Sequence, residues 1–288
     1  MKLQLGKPDI IIDPLEDFIS ALTVAGASEN TVRLYRIILS DFIDYIKKDP
    51  REVTNTDLNK WVSEILKRNT RTAKPLPDYE RKRAKSVSAR LYVTAVVRFL
   101  RWLGVEIKPT MPKVRKKEVA ALSEEEIEKV LKSVKGEYKL IVMLLLDTGL
   151  RAKELLSLRK SDIDTKRRMI TVRNTKNGEE RIVFFTEETA KLLEKHLREV
   201  EDEKVFNVSY FALYNKLKRL GKKLGIDLRP HVLRHTFATR AIRKGMPVPV
   251  VQKLLGHKDI RTTQIYTHLV TEDLKKVYDE AFSQKKVY

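Results

Sequence analysis

The chain has no cysteine, which excludes a disulfide framework and any thiolate-held zinc. It has no long apolar run either. The longest, Leu140 to Leu146, is seven residues, far short of the ~20 that a membrane-spanning helix needs. No glycine-rich nucleotide loop of the G-x-x-x-x-G-K-[ST] type occurs. The opening stretch MKLQLGKPDIIIDPLEDF places acids and prolines where a secretory leader has its apolar region, so a cytoplasmic protein is expected. Acidic residues are in deficit, 39 against 59 Lys and Arg, giving a formal net charge of +20 over 288 residues. Such an excess attracts polyanions. Nucleic acid is the first candidate partner, and membrane is disfavoured.

What is present is enough for a packed core. Hydrophobic residues make up 42% of the chain, which argues against disorder. Phe18, Leu22, Leu34, Ile38, Phe42 and Ile46 recur at helical spacing around AGASEN. TNTDLNKWVSEILKR begins with capping candidates and reads as a third helix. KPLPDYERKRAK reads as a basic loop, and SVSARLYVTAVVRFLRWLG as a fourth helix that ends at Gly104. These features predict an N-terminal helical domain over 1–104. The segment 105–120, with two prolines and a run of bases, predicts a basic linker. It would serve as a solvated tether or as a strap along a phosphate backbone.

The remainder, 121–288, predicts a second domain. Ser123 and Glu126 fit a capping box. EYKLIVMLLLDTG is apolar on all sides and should be a central helix that Gly149 stops. LRAKELLSL starts another helix. RMITVRNTKNGEERIVFF alternates around Asn177-Gly178, a strong hairpin signal. Four helical stretches follow, and the chain closes with RTTQIYTHL and TEDLKKVYDEAFSQ.

Four of the five histidines, His231, His235, His257 and His268, fall close together in sequence. His231 and His235 share a helix face, as a zinc pair would. HVLRH has no glutamate, however, and Arg234 puts a fixed positive charge beside the pair. That disfavours a cation and favours an anion such as phosphate, whose oxygens an arginine fork binds in pairs. His196, on the amphipathic stretch AKLLEKHLRE, is expected to be exposed.

HVLRHTFATRAIRKG followed by VVQKLLGHKDIRTTQIYTH resembles the signature of the tyrosine recombinase (phage integrase) family. That signature has H-x-x-R on one helix, then L-G-H, then a tyrosine nine residues later, which is the spacing of His257 and Tyr266. TGLRAKELLSL is similar to the family's earlier arginine stretch. NTKNGEERIVFF supplies Lys176 at the place of its hairpin lysine, though without the glycine-lysine-glycine form common there. The overall length looks like the Xer site-specific recombinases, which resolve chromosome dimers.

The resemblance implies a mainly α fold with a small β-hairpin or sheet. A helical core-binding domain would precede a catalytic domain ending in a tail helix. It implies Tyr266 as nucleophile on a DNA phosphodiester, forming a 3′-phosphotyrosyl link. Arg151 and Arg234 would clamp the phosphate with help from His257. Lys176 would be the general acid and His231 the second acid/base group. It also implies double-stranded DNA with an inverted-repeat site as partner, a homotetramer on two duplexes, and no cofactor or metal. A tail from residue 270 would dock on a neighbouring subunit. Glu154 and His235 are read as supports, and His268 as local structure or a site contact. Three alternatives stay open: a DNA relaxing enzyme of the type IB topoisomerase kind, a mobile-element integrase, and a catalytically silent DNA-binding protein.

Overall fold

A computed structural model of the chain describes residues 3–68, 78–114, 121–173 and 180–256. The predicted hairpin turn with Lys176, the end of the basic linker, His257, Tyr266, His268 and the tail lie outside them. The chain divides into two compact units, Met1–Lys117 and Glu118–Tyr288. No described helix is long and apolar enough to cross a membrane.

The first unit is helical: α1 Pro14–Val24, α2 Glu29–Ile46, α3 Asn55–Lys67 and α4 Asp78–Leu103. Local chemistry sets the helix starts. Asp13 accepts from the Leu15 and Glu16 amides, with Pro14 in the first turn, where its missing N–H costs nothing. Thr54 and Asp57 close a capping box at α3. The predicted apolar stripe is the core: Phe18, Leu22, Ile38 and Phe42 are buried together with Trp61 and Phe99, while Leu34 and Ile46 pack at its edge. Phe42 meets Trp61 edge-on at 4.9 Å between centroids, and the Trp61 indole N–H donates to Asp41 at 3.1 Å.

One expectation is overturned. DYERKRAK, read as part of a basic loop, is the first two turns of α4. Prolines 75 and 77 lie before it, and the residues after Tyr79 are nearly all strong helix formers. Beyond α4 the chain is extended and docked. Ile107 is buried in the first core, and Asn55 and Asn59 of α3 accept from the Lys108 amide at 2.8 Å and the Thr110 amide at 3.2 Å.

The second unit comprises α5 Glu124–Ser133, α6 Gly136–Thr148, α7 Ala152–Leu156, β1 Ile163–Asp164, β2 Met169–Val172, β3 Arg181–Phe184, α8 Glu187–Glu199, α9 Tyr210–Leu224, α10 Pro230–Arg243 and α11 Val248–Leu255. As its composition predicts, α6 is central: Leu140 through Leu146 are all buried, and α5, α7, α8, α10 and β3 pack around it. The sheet is antiparallel in the order β1-β2-β3, with Val172 opposite Arg181. Asp147, near the end of α6, accepts from the Thr186 amide at 2.9 Å and from the Thr186 and Thr189 hydroxyls at 2.7 and 2.6 Å. This fixes the exit of β3 into α8.

His196 is corrected as well. It is half-buried, its Nε2 lies 2.9 Å from the Val205 carbonyl oxygen, and its ring stacks on Phe206. The amphipathic pattern of α8 was legible, but this partner, on the segment after the helix, was not.

Candidate active site

The site begins where α6 stops. Gly149 takes a left-handed φ of +62°, a conformation that costs glycine little. A Cβ there would also fall 2.3 Å from Phe237 Cδ1. The buried Thr148 hydroxyl donates to the Leu144 carbonyl at 2.6 Å and accepts from the Leu150 amide at 3.2 Å, so the turn is held on both sides. It delivers Arg151 to the N-cap of α7, one residue before its first turn. The Arg151 amide and its Nη1 each donate to Glu154, both at 2.8 Å. Its side chain remains 39% exposed.

α10 supplies the next groups. Pro230 opens the helix, and His231 and Arg234 follow on one face. Arg234 is only 6% exposed. Its Nη1 donates to the Gly149 carbonyl and its Nη2 to the Leu255 carbonyl, both at 2.7 Å. Those two carbonyls sit at the C-terminal ends of α6 and α11, where helices leave acceptors without intrahelical partners. One guanidinium thus ties together the stretches TGLR, HVLR and LLG, which are far apart in sequence. α11 ends at Gly256, again left-handed at φ +66°, and His257 is the next residue in the chain.

Of the six predicted site residues, the described structure brings together Arg151, His231 and Arg234. Lys176, His257 and Tyr266 lie outside the described residues. The three that meet arrive on the elements the motif requires, a turn after one helix and the first turns of another. They form a basic site suited to an anion.

The Phage integrase family matches residues 114–273, and its N-terminal SAM-like domain matches residues 15–76. The chain belongs to the phage integrase family. A tyrosine recombinase XerA of Saccharolobus solfataricus is 56% identical over 285 residues, covering 98% of this chain and 97% of the relative. Among solved structures, XerH site-specific recombinase bound to palindromic difH substrate gives a TM-score of 0.67 at 20% identity, covering 92% of this chain and 83% of that one. A lambda integrase dimer bound to a core site gives 0.69 at 17% identity, covering 88% and 93%. At such identities the two structures share the fold. This integrase-family chain is a tyrosine recombinase, an enzyme of site-specific DNA strand cleavage and rejoining.

One residue of this recombinase's site was missed in the sequence. Arg181, the first residue of β3, has a side chain only 8% exposed, against a Glu154 carboxylate 5% exposed. Its Nη2 and Nη1 donate to the two Glu154 oxygens at 2.7 and 3.2 Å, and its Nε donates to the Leu254 carbonyl at 2.9 Å. Burial works against the Glu154 charge, but the bonds from Arg181 and from the Arg151 amide and side chain outweigh it and hold the carboxyl below its ordinary range. Glu154 is therefore an ion-paired carboxylate bonded to both arginines, the arrangement that its reading as a support requires. The sequence carried no local signal for Arg181; it follows only once Glu154 is seen to be buried, because a buried carboxylate needs a cation.

His231 sits at the exposed rim. Its imidazole is pushed below its ordinary value, first by partial burial and then by the charges of Arg234, Arg229 and Arg151. The ring is thus neutral at pH 7 in the folded recombinase. The unfolded chain keeps the ordinary value of ~6.5. As pH falls below that, the unfolded state binds the proton first, and stability is lost until the pH passes the lower folded value. His231→Gln removes this contribution. Its melting temperature should fall less between pH 7 and 5 than that of the unaltered chain; equal falls would show that the ring does not feel the arginines.

Proposed function

We propose that this recombinase cuts double-stranded DNA at an inverted-repeat site, as a tetramer on two duplexes, and resolves chromosome dimers in the manner of the Xer group. It would act in the cytoplasm, at the nucleoid. The observation that carries this reading is the Arg234 guanidinium, bonded to Gly149 O and Leu255 O, which gathers Arg151, His231 and the chain leading to His257 in one place. The net charge of +20 and structural relatives bound to recombination-site DNA support DNA as the partner.

The chemistry assigns each group a task. Tyr266 attacks the scissile phosphorus through its phenolic oxygen, forming the 3′-phosphotyrosyl bond as the bond to the 5′ oxygen breaks. Charge building on the non-bridging oxygens is met by Arg151 and Arg234, with His257 as a further donor. Lys176 protonates the departing 5′ oxygen. His231, neutral at pH 7, accepts the phenolic proton and returns it in the reverse step. One phosphate ester replaces another, so a second 5′ hydroxyl can take over the strand.

The test has two stages. Genomic duplex fragments carrying nicks are incubated with the chain, denatured, and the attached DNA is sequenced. A plasmid with two direct copies of the recovered site is then supplied. An inverted repeat, followed by excision of the intervening circle, is the expected result. Attachment at random sequences with relaxation of supercoils would overturn it in favour of a topoisomerase.

A further inference from the structure

Glu154 touches two arginines at once. Arg151, proposed above to clamp the phosphate, gives it one side-chain bond and one amide bond. Arg181, on β3, gives it a two-pronged bond from a buried fork. The formal charges are two positive and one negative, so the cluster carries a net positive charge. Without Arg181 it would be neutral. The Glu154 carboxylate, buried and far from screening solvent, would then face Arg151 alone and cancel the field Arg151 projects toward an anion.

We propose that Arg181 is a positioning residue for DNA strand cleavage, holding the Glu154 charge so that the Arg151 charge stays available to the scissile phosphate. The inference rests on the reading of Arg151 given above. A second contact supports a role beyond strand packing. The Arg181 Nε holds the Leu254 carbonyl at 2.9 Å, and a Cβ at Gly256 would come within 3.2 Å of Arg181 Nη1. The arginine thus occupies the space that glycine leaves at the end of α11, directly before His257 in sequence. It binds Glu154 on one side and the backbone approaching the site on the other.

The test measures single-turnover covalent adduct formation by the full chain on two nicked duplexes carrying the trapped site. One has the natural scissile phosphate. The other has a methylphosphonate there, which bears no negative charge for Arg151 to stabilise. Arg181→Met is expected to slow cleavage of the natural phosphate about 10–100-fold, by analogy with the outer-shell partners of metal ligands, with duplex affinity within about twofold of the original. On the methylphosphonate the deficit should shrink toward none. Adding Glu154→Gln to Arg181→Met removes the uncompensated negative charge and should recover much of the lost rate. Arg181→Gln keeps an N–H toward Glu154 without the charge and gives the same readings if methionine prevents folding. Equal deficits on both duplexes, or a double variant slower than either single one, would overturn the proposal and leave Arg181 as a brace only. If the unaltered chain forms no adduct on either duplex, the reading of the site itself fails first, and this one with it.

Discussion

Arg234→Met should lose both cleavage and stability. Removing one preorganised donor from a charge-stabilising site costs on the order of 10²–10³ in rate, and the same should apply to covalent attachment here. The stability loss has a separate origin. The Gly149 and Leu255 carbonyls each accept from this guanidinium at 2.7 Å. Methionine fills similar space but donates nothing, and a buried acceptor left without its partner costs about 1–3 kcal/mol. With two carbonyls affected, the transition of the catalytic unit should move down by several degrees. Arg234→Lys separates the two effects. It keeps the charge but cannot fork to both carbonyls, so it should lie between methionine and arginine in both readings. Thermal unfolding paired with single-turnover cleavage tests this. A methionine variant with unchanged melting would show that the guanidinium does not join the three stretches.

Arg151→Ala is the contrasting case. Its side chain is 39% exposed, so solvent screens its end of the pair although the Glu154 end is buried. Glu154 keeps both prongs of Arg181 and the residue 151 amide, so the buried carboxylate is not orphaned. The melting temperature should barely move. The cleavage rate should still fall on the order of 10²–10³, the cost of one lost charge-stabilising donor. Duplex binding, which many phosphate contacts share, should survive. A variant that cleaves at the original rate would remove Arg151 from the phosphate site. One that unfolds would make its role structural.

Much of this molecule could be read before its structure, because helices and motifs are local. Phe18, Ile38 and Phe42 announce their helices by spacing, and the apolar run in α6 announces its central place. HVLRH and TGLR name their own residues. What stayed hidden depends on contacts across the chain. Arg181 is one of 59 basic residues, and nothing local marks it as the partner of Glu154, 27 residues earlier. Arg234 was read from its motif as an anion ligand, which the cleavage experiments test; its place as the joint between Gly149 and Leu255 was not legible. His196 followed the amphipathic pattern of α8, yet its bond to Val205 comes from the next turn of the path. DYERKRAK was misread for a different reason: charge density suggested a loop, whereas helix propensity decided the matter once the prolines were past.

Covalent trapping by the unaltered chain beside its Tyr266→Phe variant decides whether this phenol is the nucleophile. Both are incubated with the same nicked duplex pool, denatured, digested with protease, and the DNA-linked peptide is identified by mass. The expected product is a peptide containing Tyr266 joined to a 3′ phosphate, with a free 5′ hydroxyl on the released strand. The variant should form no adduct at equal duplex binding. An adduct on another residue, a link to a 5′ end, or undiminished attachment by Tyr266→Phe would contradict it.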